Sequence, residues 1–197
     1  AILAFAAVYL AIQPARYVDG LLRLVPKTRR ESARNMFDLL GITLRRWLIG
    51  QSVTMAVVGI LTAIGLLLLG VAAPLALGLI SGMFAFVPYV GPILASTSGI
   101  LMAAMQGPMQ TVYVIALYAG IHFVESNLVT PLVQAEAVEL PPVLTLLSAL
   151  VFGLLLGPIG VLLAAPLSVV LLVALNVLYI EGVLGERRVW PSDRVNS

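Results

Sequence analysis

Tyr118, His122, Glu125 and Ser126 are the polar side chains whose types and spacing point most directly to chemistry. Steps of three and four residues put them on one face of a helix. An imidazole and a carboxylate one turn apart in apolar surroundings can take up and release a proton between them. Ionisable groups at membrane depth commonly belong to such pathways. The plainer reading makes Glu125 the end of a helix at the bilayer surface, with His122 satisfied by an ordinary partner. Asn127 and Gln51 join the set as candidate pathway or coupling residues. Isolated amides, including Asn176, equally serve to hold helices together. Glu136 and Glu139 lie in a short connector, where solvation accounts for them.

A second set is backbone rather than side chain. Pro88-Tyr89-Val90-Gly91-Pro92, Gly107-Pro108, Pro141-Pro142 and Gly157-Pro158, the last followed by Gly160, interrupt apolar sequence. Non-helical backbone at membrane depth is tolerated only where it is buried in protein or lines a wet cavity. Interrupted helices of this kind build transporter sites, with freed backbone groups facing the substrate. Turns at the bilayer surface are the alternative. That reading is preferred at Gly107-Pro108, and both stand at 88–92 and 157–160.

Enzyme chemistry has little to work with. Ser81 and Ser98 are candidate nucleophiles and His122 is the single imidazole, but neither serine sits in a nucleophile-elbow motif. One histidine and no cysteine cannot make a typical transition-metal site, and no cofactor is implied. No Walker-type glycine-lysine motif offers ATP coupling within these 197 residues. An intramembrane hydrolase and a non-transporting scaffold remain as distant alternatives.

The elements that must position these residues follow from the charge pattern. The chain is 61% hydrophobic and 10% charged, with a mean hydropathy of +1.09. Soluble domains usually carry about a quarter charged residues. Eight of the eleven basic residues fall within 16–46 and the other three within 187–194. Residues 47–124 and 140–180 contain no Asp, Glu, Lys or Arg. A membrane-crossing helix needs about 20 apolar residues, so both runs exceed one crossing and the protein reads as an all-α, polytopic membrane protein with broken or re-entrant helices.

Four segments follow. Residues 1–13 read as the end of a transmembrane helix severed from a longer protein. Residues 14–46 form a basic amphipathic segment. Its apolar stripe of Ala33, Met36, Phe37, Leu40, Leu44, Trp47 and Leu48 opposes Arg30, Arg34, Asp38 and Arg45. Thr28 and Glu31 fit a capping box ahead of it. Continuity with the charge-free run favours the membrane surface over nucleic acid as its partner. Residues 47–180 hold about six apolar helical segments, with Trp47 at interfacial depth, and residues 181–197 are a polar tail. The positive-inside rule places residues 14–46 in the cytoplasm, and an even number of crossings returns the tail there. The expected partners are the lipid bilayer and a small-molecule or ion substrate, with self-association as a further option.

The order Arg46-Trp47-Leu48-Ile49-Gly50-Gln51, Phe86-Val87-Pro88-Tyr89-Val90-Gly91-Pro92, Glu125-Ser126-Asn127-Leu128-Val129-Thr130-Pro131 and Val138-Glu139-Leu140-Pro141-Pro142 resembles the autoinducer-2 exporter family. The run Gly157-Pro158-Ile159-Gly160-Val161-Leu162-Leu163-Ala164-Ala165-Pro166 strengthens the likeness and adds Pro166 to the broken-helix elements. The resemblance implies a bacterial inner-membrane permease rather than an enzyme, working by secondary or facilitated export. The family's named substrate is the quorum-sensing furanone autoinducer-2, and some members are assigned sodium/proton exchange.

Overall fold

A computed structural model describes residues 14–23, 25–26, 30–87, 90–131 and 142–175. The expectations for residues 1–13, the Thr28 cap, Pro88, Tyr89, the connector with Glu136 and Glu139, Pro141, Asn176 and the tail fall outside these. The described residues are helical apart from short turns, with no strand among them. We label the helices α1 (Pro14–Arg23), α2 (Arg30–Leu68), α3 (Pro74–Phe84), α4 (Val90–Ala104), α5 (Pro108–Val124), α6 (Pro142–Leu156) and α7 (Pro158–Leu175). A π-helical turn, Glu125–Val129, extends α5. Three stretches are long and apolar enough to cross a membrane: Ala33–Leu68, Pro108–Val129 and Pro158–Leu175. Three shorter apolar helices, Pro74–Phe84, Val90–Ala104 and Val143–Leu156, accompany them.

The prolines that punctuate the sequence act mainly as helix starters. Proline opens α1, α3, α5, α6 and α7, where its missing N–H has no intrahelical partner to lose and its fixed φ already suits the helix. The interruptions are therefore narrower than the motif spacing suggests. Gly91 and Pro92 belong to the first turn of α4, and Pro158 and Gly160 to the first turn of α7. Pro166 does not break its helix, because α7 runs straight through it. It only removes one donor from the ladder, the N–H that would otherwise reach the Leu162 carbonyl.

The chain forms two compact units, whose boundaries fall after Ile42 in α2 and after Val169 in α7. In the first unit, α1 buries Leu22, and the start of α2 buries Ala33 while exposing Arg34 and Asp38.

The second unit holds the apolar helices. The end of α2 is a Schellman motif: Val71 N–H donates to Leu66 O at 3.0 Å and Gly70 N–H to Leu67 O at 3.1 Å. Gly70 takes the left-handed φ of 69° that this motif requires. The chain then returns as α3, which crosses α2 closely at Gly59, Gly78 and Gly82. A Cβ on Gly78 would stand 2.7 Å from the Gly59 carbonyl oxygen. Lipid gives helices no hydrophobic reason to associate, so small residues that let backbones touch supply the packing. Helix α3 packs on α4 and α4 on α5, around a core of Leu66, Leu77, Ala103, Val114 and Tyr118. Trp47 is buried rather than displayed at an interface. It packs on Ala165 and Val169 and meets the Phe86 ring edge-on at 5.8 Å.

Candidate functional site

Two chain reversals in the second unit bring the interrupted backbone together. In the first, α3 ends at Phe84, Val87 N–H returns to Phe84 O at 3.0 Å, and Gly91 N–H donates to Val87 O at 2.9 Å. The start of α4 sits so close to the end of α3 that a Cβ on Gly91 would collide with the Phe84 carbonyl oxygen. In the second, Gly157 alone separates α6 from α7. Its φ is 67°, its N–H donates to Gly153 O at 2.9 Å, and its carbonyl accepts from Gly160 N–H at 2.9 Å. Here a Cβ on Gly160 would collide with the Phe152 carbonyl oxygen.

Between the two reversals lies a cavity of about 620 Å³, with Phe84, Gly91 and Leu94 on one side and Gly153, Pro158 and Leu162 on the other. Every side chain lining it is apolar. Polar recognition there falls to the backbone. Leu154 and Leu162 line the cavity; α6 ends before any N–H could reach the Leu154 carbonyl, and Pro166 lacks the N–H that would reach the Leu162 carbonyl. The expected glycines and prolines at the two breaks thus converge, at Gly91, Gly157 and Pro158.

The pair of His122 and Glu125 also forms. His122 Nδ1 lies 3.0 Å from Glu125 Oε2, with the two side chains 25% and 16% exposed. His122 Nε2 is buried with no hydrogen-bond partner among the described residues. The imidazole stacks on Tyr118 at 6.3 Å, and the Tyr118 hydroxyl lies 3.3 Å from Ser81 Oγ. Gly99 makes room for that ring: a Cβ there would lie 2.5 Å from Tyr118 Cε2. With Nδ1–H donated to Glu125, Nε2 would carry the free lone pair. The π turn begins at Glu125 itself, and π turns inside α-helices recur at functional sites.

Other expected residues go elsewhere. Asn127 does not join the pair: its Nδ2 donates to Phe123 O at 2.9 Å, on its own helix, and the residue is exposed. Ser126 is exposed as well. Gln51 is buried and serves packing, its Nε2 donating to Ala85 O at 2.7 Å just past the end of α3. None of His122, Glu125, Asn127 and Gln51 lines the cavity. No serine hydroxyl among the described residues bonds to His122, since Ser81 faces Tyr118 and Ser98 donates to Ala95 O. Two contacts had no signal in the sequence: the Ser81–Tyr118 link, and a hydrogen bond from Gln110 Nε2 to the Leu69 carbonyl at the end of α2.

Residues 1–180 match the family model described as AI-2E family transporter. Two Bacillus subtilis (strain 168) proteins are similar. "Putative transport protein YrrI" is 31% identical over 72% of this chain and 40% of its own length. "Putative transport protein YueF" is 26% identical over 81% of this chain and 43% of its own. Escherichia coli (strain K12) YhhT, which carries the same descriptive name, is 27% identical over 54% of this chain and 31% of its own. The chain spans less than half the length of the curated relatives it matches.

Proposed function

This chain belongs to the AI-2E transporter family, and from that membership we propose that the whole protein moves a small organic molecule across the membrane by secondary or facilitated transport. The cavity between the two reversals carries the reading. Its 620 Å³ falls within the range of about 300–1,000 Å³ typical of small-molecule sites. Apolar walls suit a compact organic body and give a bare ion too few oxygens to replace its water. The carbonyls of Leu154 and Leu162 would accept from hydroxyl groups, which a hydroxylated furanone such as autoinducer-2 offers. The bacterial inner membrane, with residues 14–46 and the tail in the cytoplasm, is the setting this reading assigns.

A second reading, proton-coupled exchange of the sodium/proton kind, is favoured by one observation: the His122–Glu125 pair at 3.0 Å, with Nε2 buried and open to a proton. One experiment separates the two. Full-length protein is reconstituted in vesicles, and flux of autoinducer-2 and of sodium is followed over a pH series. Leu94→Trp fills the cavity and should lower furanone flux about tenfold or more. The same change at Ile64, which is 50% exposed and outside the cavity, should not. Glu125→Gln should keep the fold and erase the pH-dependent part of transport. Full furanone flux in Leu94→Trp would sink the cavity reading. An unchanged pH response in Glu125→Gln would remove the pair from coupling.

A further inference from the structure

The first compact unit contains a second cavity, of about 580 Å³, lined by Asp19, Leu22, Arg23, Arg30, Glu31 and Arg34. The three guanidinium groups are set differently. Arg30 is tied to the elbow between α1 and α2, with Nε donating to Val25 O at 3.0 Å and Nη2 to Arg23 O at 3.3 Å. Arg34 Nη2 meets Asp19 Oδ1 at 2.6 Å, with both side chains more than half exposed. The Arg23 side chain has neither a hydrogen bond nor an ion pair among the described residues. Each guanidinium offers five N–H donors, so most of the donors around this cavity are unspent among the described residues.

We propose that this cavity binds the phosphate of an anionic phospholipid headgroup. Guanidinium forks match phosphate oxygens in pairs. The cavity lies where a short amphipathic helix meets α2, whose charge-free continuation from Trp47 to Leu68 is built for hydrocarbon. Basic residues on an amphipathic segment that leads into a membrane helix draw anionic lipid, and eight of the eleven basic residues lie within 16–46. Buried Leu22 supplies an apolar floor beside the charges. Asp19 pairs with Arg34, but an exposed pair of this kind holds weakly, and a phosphate can take its place.

The test uses the full-length protein in phosphatidylcholine nanodiscs with stepped fractions of phosphatidylglycerol, with retained lipid read by native mass spectrometry. Wild type should retain phosphatidylglycerol over phosphatidylcholine. Arg23→Gln should weaken that retention about fivefold, and Arg45→Gln, an exposed arginine outside the cavity, should weaken it far less. Asp19→Asn frees Arg34 and should tighten retention about two- to fivefold. An ion pair with only a structural role predicts the opposite sign or no change. Asp19→Asn thus keeps the proposal falsifiable even if Arg23→Gln fails to assemble. Equal retention of the two lipids, equal losses in Arg23→Gln and Arg45→Gln, or unchanged or weaker retention in Asp19→Asn would each overturn the proposal. Displacement of the lipid by millimolar inorganic phosphate would overturn it in favour of a free-anion site.

Discussion

The two reversals around the cavity are built from similar words, Gly91-Pro92-Ile93 and Gly157-Pro158-Ile159, yet they are held by different means. The first is supported from outside. Gln51 on α2 reaches 34 residues along the chain to the Ala85 carbonyl, and Trp47 sets its edge against Phe86. The second is held by its own backbone. One left-handed residue, Gly157, ends α6 and starts α7, with Gly153 O and Gly160 N–H as its partners. A turn propped by a buried amide depends on where another helix sits, whereas a turn set by φ carries its geometry with it. If one side of the cavity moves during transport, the first reversal is the one whose support another helix can withdraw.

The largest effect should come from the feature both turns share. Gly91→Ala and Gly160→Ala each place a methyl against a backbone carbonyl oxygen that no side-chain rotation can clear. Forcing backbone apart in a packed site costs about 1–3 kcal/mol, sometimes more. Both variants should therefore lower the apparent melting temperature of the purified full-length protein and cut transport severely. A normal melting curve for one of the two would show that its turn opens at little cost, and the likeness between the turns would fail there.

Next in size is the prop. Gln51→Leu keeps the bulk on α2 but leaves the Ala85 carbonyl without its donor, a loss of about 1–3 kcal/mol. Hydrogen–deuterium exchange should speed up around residues 84–91 and stay unchanged around 152–160. Equal acceleration at both turns would mean that the two are one cooperative unit and that the contrast drawn here is wrong.

How far these features could be read in the sequence depends on their range. The apolar runs, the proline starts and the His122–Glu125 pair rest on steps of four residues or fewer, where helix geometry alone decides what meets. The pair forms as its spacing requires. Asn127 is local too, yet the π turn and a carbonyl four residues back claim its amide, and nothing in its spacing announces that. Pro166 reads in the sequence as a broken-helix element yet lies within a continuous helix, because a proline within a helix is tolerated or not according to its surroundings. The Gln51–Ala85 and Ser81–Tyr118 contacts join residues 34 and 37 apart. Periodicity records which face is apolar, not which face meets which. The cavity is further from the sequence still, since its two sides come from stretches about 60 residues apart.

The smallest effect is predicted at the residue that most looks like the pivot. Gly157 has φ 67° but nothing within 4 Å of the place a Cβ would occupy. Gly157→Ala therefore meets only the intrinsic strain of a left-handed L-residue, about 1–2 kcal/mol, with no collision added. Gly70 gives the internal standard, with φ 69° and equally open surroundings at the end of α2, so Gly70→Ala and Gly157→Ala should destabilise the purified protein by similar amounts. Asparagine tolerates this conformation better than alanine, and Gly157→Asn should recover part of the loss. Strain would thus follow the order glycine, asparagine, alanine at both positions. A Gly157→Ala variant as damaged as Gly91→Ala would mean that the second turn is crowded in the assembled protein by something beyond the described residues, such as lipid or another copy. No loss at Gly157 alongside a clear one at Gly70 would mean that the second turn gives up its left-handed geometry in the working protein. The second reversal, not the first, would then be the adjustable one.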